Sequence, residues 1–172
     1  MEDVTPLDPE TGQGSKPVPF WMYGAQAAEV EVDEETGQVR ILRLTAAHDV
    51  GRAINPKNCE QQLEGAMAMG LSCTLIEEIM LEEGKLLNPT FVDYHICSAL
   101  DVPQLVSQLV EVPHSEGPFG AKGVGEPALA PTAAAIANAI RDAVGIRFKD
   151  LPLSPEVIWE AFKTMGKSGP DD

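Results

Sequence analysis

Basic residues are scarce in this chain relative to acidic ones, and the imbalance limits its partners. Lysine and arginine together number 12, against 27 aspartate and glutamate residues, so the formal net charge is −15. A nucleic-acid-binding face needs clustered lysine and arginine, and anionic membrane surfaces attract the same side chains. We therefore expect neither a nucleic acid nor a membrane among the partners.

Long apolar runs and metal-binding cysteine patterns are missing as well. No run of about 18 apolar residues is present, which argues against a membrane span. The three cysteines, Cys59, Cys73 and Cys97, form no CxxC pair, and the three histidines form no HxxxH pattern. These features predict a cytoplasmic protein with reduced thiols and no metal ion held by protein side chains.

Aromatic residues are few, yet the chain is long enough for a hydrophobic core. Its 172 residues are 44% hydrophobic and 5% aromatic, so alanine and the aliphatic residues must supply most of the core. Residues 1–19 are rich in proline and glycine and predict an extended lead-in. We expect one folded domain over residues 20–165 and a frayed tail over residues 166–172.

Periodicity predicts the elements of this domain. Alternation of apolar and polar residues predicts strands, whereas apolar residues at i, i+3, i+4 and i+7 predict helices. The predicted strands cover residues 25–32, 38–46, 79–81, 85–87 and 106–112. The predicted helices run for about 15 residues from Asn58, which with Gln61 resembles a capping box, from Pro127 or Pro131 to Val144 before Gly145, and onward from Ser154. The fold class is therefore α+β, with antiparallel hairpin strands packed with about three helices.

The most informative local feature is the glycine-rich loop at residues 120–127 (GAKGVGEP). Its glycines let backbone N–H groups approach a ligand closely. It is neither a Walker A motif nor a GxGxxG motif, because Lys122 precedes its glycine and the glycine spacing differs. Glu126 has two interpretations: an acid that stabilises the following helix, or a catalytic base beside a cofactor.

Other candidates remain open from the residues alone. Gln62, in the first turns of the predicted helix, could contact a cofactor amide or phosphate or could be solvated. Adjacent strand residues such as His48 and Asp49 point to opposite faces, which argues against a His–Asp relay. Met67 and Met69 favour core packing over metal ligation, because no other soft ligands accompany them.

Three segments together carry a family resemblance. They are residues 47–56 (AHDVGRAINP), 60–65 (EQQLEG) with Gly70, and 117–127 (GPFGAKGVGEP). In order and spacing they resemble the C-terminal part of the molybdenum-binding subunit of the molybdenum hydroxylases, the xanthine dehydrogenase and aldehyde oxidase family. The resemblance covers about residues 20–164 of the chain.

The resemblance implies roles for particular residues. Glu126 matches the family's catalytic glutamate, which accepts a proton at the molybdenum centre, so we expect its carboxylate to face a concave surface. The residues that match cofactor-binding positions are Gln62, Lys122, Gly123, Val124 and Gly125. The implied cofactor is molybdenum–molybdopterin, in its cytosine dinucleotide form, with the metal held by the pterin and by no protein side chain. Iron–sulfur clusters and FAD are expected on partner subunits.

The family's molybdenum subunit is several times longer than this chain, which implies further partners. We expect a larger molybdenum-binding chain, or a missing N-terminal part of the same subunit, together with the iron–sulfur and FAD subunits. The substrate is expected to be a small heterocycle or aldehyde, and the isolated chain should be inactive. The alternative is a non-catalytic interaction domain that keeps the fold without the cofactor. A third hypothesis is a phosphate-binding module built on Gly120–Glu126.

Overall fold

Five strands and three longer helices make up the described part of the fold, and three of the strands form the main sheet. The computed structural model describes residues 4–18 and 20–165. The strands are β1 (Gly24–Val32), β2 (Val39–Asp49), β3 (Leu81–Glu82), β4 (Lys85–Leu86) and β5 (Gln104–Val110). The helices are α1 (Pro56–Leu75), α2 (Thr132–Val144) and α3 (Pro155–Met165), and two short 3₁₀ turns cover Pro118–Gly120 and Glu126–Ala128.

The α+β class with hairpins and three longer helices in the described ranges is confirmed, but one strand pairing differs from the prediction. β1 and β2 form the antiparallel hairpin, and β3 and β4 form a second, very short one. β5 instead pairs parallel with β2, so the sheet order is β1-β2-β5. The connection between β2 and β5 contains the 20-residue helix α1. A long helical crossover of this kind lets the chain return in the same direction.

Local signals set the ends of the helices. α1 begins three residues earlier than a cap at Asn58 predicts, because Asn55 is its cap: the Asn55 side chain accepts a hydrogen bond from the Asn58 N–H at 3.1 Å. Pro56 occupies the first turn, where its missing N–H costs nothing. α2 ends at Gly145, whose φ of 76° confirms the predicted left-handed stop.

The core lies between the sheet and the helices. Inward residues of β2 meet aliphatic side chains of all three helices, and burying each large one contributes about 1.5–3 kcal/mol. The fully buried members are Leu44, Ala46, Met67, Leu71, Ile136, Ile140, Leu153 and Ile158. α1 and α2 approach closely at Gly70, where a methyl group would lie 2.5 Å from Cβ of Thr132. Met67 therefore packs in the core as predicted, whereas Met69 is exposed.

The described part of the lead-in, residues 4–18, has neither helix nor strand. It is not extended as predicted but folds back on itself, with the Thr5 N–H donating to the Lys16 carbonyl at 2.9 Å. The Asp8 carboxylate accepts from the Glu10 and Thr11 N–H groups and so forms the turn between them. The predicted frayed tail, residues 166–172, lies outside the described residues. Within residues 4–18 and 20–165, no helix has the combined length and apolar character required to cross a membrane.

Candidate functional site

The glycine loop lies across the end of the sheet where β2 stops. Gly51 and Ala121 form an isolated antiparallel bridge. The Lys122 N–H donates to the Val50 carbonyl at 2.9 Å, and the Arg52 N–H donates to the Gly120 carbonyl at 2.9 Å. Two sequence segments predicted to carry function, residues 47–56 and 117–127, are thus held side by side by backbone hydrogen bonds.

Glycine is required at the point where these two segments cross. Gly51 has a φ of 66°, in the left-handed region that side chains disfavour. A methyl group on Gly51 would lie 2.4 Å from the Gly120 carbonyl oxygen and 2.8 Å from the Lys122 nitrogen. The close approach of the loop to the end of β2 therefore depends on the missing side chain.

A buried ion pair joins the same two segments. Lys122 Nζ donates to Asp49 Oδ2 at 2.5 Å, and the two side chains are only 5% and 7% exposed. Asp49 Oδ1 accepts the Gly51 N–H at 2.9 Å. Burial by itself would raise the pKa of Asp49. The Lys122 ammonium and the N–H groups of Gly51 and Val112 together lower it by more, so the pKa of Asp49 lies below its usual value. We call residues 120–122, with this ion pair, the loop root.

The next four residues, 123–126, form what we call the loop tip, and their surroundings are different. Gly123, Gly125 and Glu126 are exposed, while Val124 packs against a small buried cluster. Within residues 4–18 and 20–165, none of the four N–H groups of the tip has a hydrogen-bond acceptor. The tip therefore presents several unpaired donors on the surface.

Gln62 of α1 lies beside this tip. A methyl group placed on Gly125 would lie 3.7 Å from Oε1 of Gln62. The exposed Gln62 amide, Gly125 and Glu126 are therefore neighbours on one surface, although Gln62 is far from the loop in sequence. Segments 60–65 and 117–127 therefore meet at the tip, whereas segments 47–56 and 117–127 meet at the root. The Lys122 ammonium, in contrast, is directed to Asp49.

Glu126, whose carboxylate the sequence led us to expect beside a concave surface, lines neither of two cavities in the described part of the chain. Its side chain is exposed, and the described residues offer it no hydrogen-bond or ion-pair partner. The two cavities, of about 920 and 290 Å³, are both lined by other residues. Its carbonyl accepts the Leu129 N–H at 2.9 Å, which closes the short turn Glu126–Ala128. The backbone at Glu126 is thus held, while its side chain is exposed.

Sequence reasoning missed a residue that holds this turn. Gln26 Nε2 donates to the Ala128 carbonyl at 2.5 Å, and Gln26 Oε1 accepts from the Thr132 hydroxyl at 2.7 Å. Gln26 therefore ties β1 to the end of the turn and to the start of α2. A signal was present: in β1 the half-buried positions alternate, and Gln26 is the polar residue in the same phase as Ala28 and Val30.

The chain just before β1 also lies along the loop. A methyl group on Gly123 would lie 3.8 Å from Sδ of Met22. The Phe20 ring packs on His114 with centroids 5.0 Å apart, and Lys122 Nζ lies 6.0 Å from the Phe20 centroid. Phe20 and Met22 thus lie along one side of the loop. The described ranges hold no cluster of three or more His, Cys, Asp or Glu side chains able to bind a metal ion.

Comparison with known sequences confirms the resemblance. The sequence profile of the molybdopterin cofactor-binding domain matches residues 3–103. The chain belongs to this family. It is 36% identical over 146 residues to the xanthine dehydrogenase molybdenum-binding subunit of Escherichia coli O157:H7, covering 84% of this chain and 19% of that protein. It is 38% identical over 161 residues to the aldehyde oxidoreductase of Megalodesulfovibrio gigas, covering 93% of this chain and 17% of that protein.

Solved structures agree with the sequence comparison. The crystal structure of quinoline 2-oxidoreductase from Pseudomonas putida 86 superposes on this chain with a TM-score of 0.78 at 35% identity. The superposition covers 81% of this chain and 18% of the quinoline 2-oxidoreductase chain. The fold is therefore that of the corresponding region in molybdenum hydroxylases. The aligned region covers 17–19% of the length of each of these relatives, so the chain spans about a fifth of their length.

Proposed function

We propose that this chain is part of the catalytic, cofactor-binding subunit of a molybdenum hydroxylase that oxidises a heterocycle or an aldehyde with water as the oxygen source. The observation that carries the proposal is the meeting of Gln62, Gly125 and Glu126 on one exposed surface. These residues come from two segments that the sequence separates and the fold joins. Relatives named as xanthine dehydrogenase and aldehyde oxidoreductase support the same assignment.

The residues present fit a molybdopterin cofactor. The Gln62 amide offers both a donor and an acceptor, and the unpaired N–H groups of the loop tip add donors for oxygen and nitrogen atoms of a pterin. Gly123 and Gly125 leave the backbone accessible, and Val124 anchors the tip through its apolar contact. We therefore propose Gln62, Gly123, Val124 and Gly125 as cofactor-binding residues. Lys122 belongs to the same loop, although its ammonium is paired with Asp49.

Glu126 is proposed as the general base. When bound, the cofactor would supply the metal that accepts two electrons from the substrate. The chain's own contribution is a carboxylate that accepts a proton, held on a turn whose carbonyls are bonded to Leu129 and Gln26. A base that is fixed in position before the reaction contributes typically 10²–10⁴-fold. Exclusion of water from an exposed carboxylate requires a covering surface from outside the described residues.

That covering surface is proposed to be a larger molybdenum-binding chain or the remainder of the same subunit. Large apolar side chains such as Trp21, Phe91 and Phe119 are 71%, 77% and 85% exposed, and cover from another structure would remove them from water. The same proposal includes the cytosine dinucleotide form of the cofactor, iron–sulfur and FAD subunits, and a cytoplasmic location. The isolated chain is expected to be inactive, because half of the site would be missing.

The proposal is tested by isolating the chain from its natural host with whatever binds it. The chain would carry a small affinity tag, and the product would be assayed for molybdenum content and for oxidation of a panel of aldehydes and N-heterocycles with an artificial electron acceptor. We expect a larger partner chain, about one molybdenum per copy, and turnover of at least one substrate class. Recovery of a metal-free complex without turnover would instead support the non-catalytic interaction domain.

A further inference from the structure

The Asp49–Lys122 ion pair is an unusual feature for the end of a strand. Both side chains are almost completely buried, and the 2.5 Å contact joins residues 73 positions apart. Burying two charges costs desolvation energy, and an apolar pair of similar volume often stabilises a fold at least as well. Stability alone therefore does not account for an ion pair at this position.

The position of the pair indicates that role. Lys122 is the last residue before the loop tip, and its own N–H is bonded to the Val50 carbonyl. Asp49 holds the other side of the crossing, because its Oδ1 accepts the Gly51 N–H while its Oδ2 accepts from Lys122. Backbone and side chain of Lys122 are thus both bonded at the end of β2. The chain direction on leaving position 122 is fixed by these contacts.

We propose that Lys122 is a positioning residue whose pairing with Asp49 fixes the loop tip beside Gln62, and that its ammonium does not contact the cofactor. None of the N–H groups of the loop tip has an acceptor within the described ranges, so the arrangement of the tip depends on its two ends. At the far end Gln26 holds Ala128, and at the near end the ion pair holds position 122. The consequence for catalysis rests on the proposed function of Glu126, whereas the positioning itself does not.

The positioning is tested by amide hydrogen exchange in the 172-residue chain, without cofactor. Asp49→Asn, Lys122→Met and the double variant would be compared with wild type, and Lys149→Met would serve as the control because Lys149 is exposed. The reporters are the Arg52 amide and the amide at position 122, which bond across the crossing, and the Ile136 and Ile140 amides of α2.

In each single variant, exchange should rise both at the crossing amides and at the α2 amides, because the unpaired buried charge destabilises the whole fold. In the double variant, which leaves no unpaired buried charge, the α2 amides should exchange as in wild type, while the crossing amides should still exchange faster by on the order of tenfold. The double variant also tests the positioning role if a single variant fails to fold. Wild-type exchange at the crossing amides of the double variant, or an equal rise at its α2 amides, would overturn the proposal.

A second measurement separates this inference from the proposed function. In the assembled enzyme, Lys122→Met and Asp49→Asn should lower kcat with little change in KM and should retain equal amounts of molybdenum, because both lose the pairing that positions the tip. A clearly greater loss of molybdenum in Lys122→Met than in Asp49→Asn would indicate direct contact between the ammonium and the cofactor and would overturn the inference. Normal turnover in Glu126→Gln would contradict the proposed function. It would leave the positioning role of Lys122 unaffected, because amide exchange tests that role without cofactor or turnover.

Discussion

The root and the tip of the glycine loop are adjacent in sequence but opposite in physical character. The root is held by a buried ion pair, a backbone bridge and a glycine crossing at Gly51. The tip, which follows directly, exposes Gly125 and Glu126 and leaves its N–H groups unpaired within the described residues. Substitutions at the root should therefore change stability, and substitutions at the tip should change binding and chemistry with little effect on the fold.

This difference teaches how the chain can serve as one side of a larger site. A surface that must contact a ligand has to keep its donors free, and free donors contribute nothing to the fold. The fold therefore places its hydrogen bonds and buried charge just before and just after the ligand-facing residues. Lys122 and Gln26 are the two residues that do this.

The largest stability effect should come from Asp49→Asn. The substitution leaves the Lys122 ammonium buried without a counter-charge, which costs about 3–5 kcal/mol. Glu126→Gln should change the free energy of unfolding by less than about 0.5 kcal/mol, because its side chain is exposed and has no partner in the described ranges. Urea denaturation of both variants checks the contrast, and equal losses at the two positions would remove the distinction between root and tip.

Gly51→Ala should have the next largest effect, about 2–4 kcal/mol. The new methyl group would meet the Gly120 carbonyl at 2.4 Å, and alanine disfavours a φ of 66°. Gly84→Ala is a matched control, since Gly84 has a φ of 78° but open space around it. Thermal denaturation should show a clearly larger loss at Gly51. A loss no greater than that of the control would show that the crossing is not tightly packed.

At the tip, Gln62→Ala should weaken cofactor retention by about tenfold, since one hydrogen bond contributes about 0.5–1.5 kcal/mol. Stability should be unchanged, because Gln62 is exposed. Molybdenum content after dialysis of the assembled complex is the measurement, and Gln61→Ala, the exposed neighbour on α1, is the control. Equal retention in the two variants would place the cofactor away from Gln62.

The smallest expected effect is a change with pH in the stability that Asp49 contributes at the root. The pKa of Asp49 is lowered in the folded chain relative to its ordinary value of 3.8, so the unfolded state binds its proton first as the pH falls. Its stabilising contribution is complete above about pH 3.8 and is lost as the pH falls further toward the folded pKa. The stability difference between wild type and Asp49→Asn should therefore shrink below this pH in denaturation series. A constant difference down to pH 2 would contradict the assignment.

Local features were predictable from the sequence because they depend on neighbouring residues. The β1–β2 hairpin, the left-handed stop at Gly145 and the core position of Met67 all follow from turn chemistry and periodicity. The cap of α1 was misplaced because both Asn55 and Asn58 are good capping residues. Here the adjacent Pro56 decides in favour of Asn55, since proline is favoured in the first turn.

Long-range pairings were not predictable. The parallel partner of β5 depends on the path of the whole α1 crossover. The contact between Asp49 and Lys122 joins residues 73 positions apart, and the contact between Gln26 and Ala128 joins residues 102 positions apart. No local pattern specifies such partners. Family resemblance supplied the roles of Gln62 and Glu126, and the fold brings them to one surface.

The most direct test of the central claim is the turnover of Glu126→Gln in the assembled complex. Glu64→Gln is the matched control, because Glu64 is an exposed glutamate on α1 close to Gln62. We expect Glu126→Gln to lose turnover by about 100-fold or more while it retains molybdenum, and Glu64→Gln to behave as wild type. Turnover in Glu126→Gln equal to that of the control, with molybdenum bound, would show that this carboxylate is not the base.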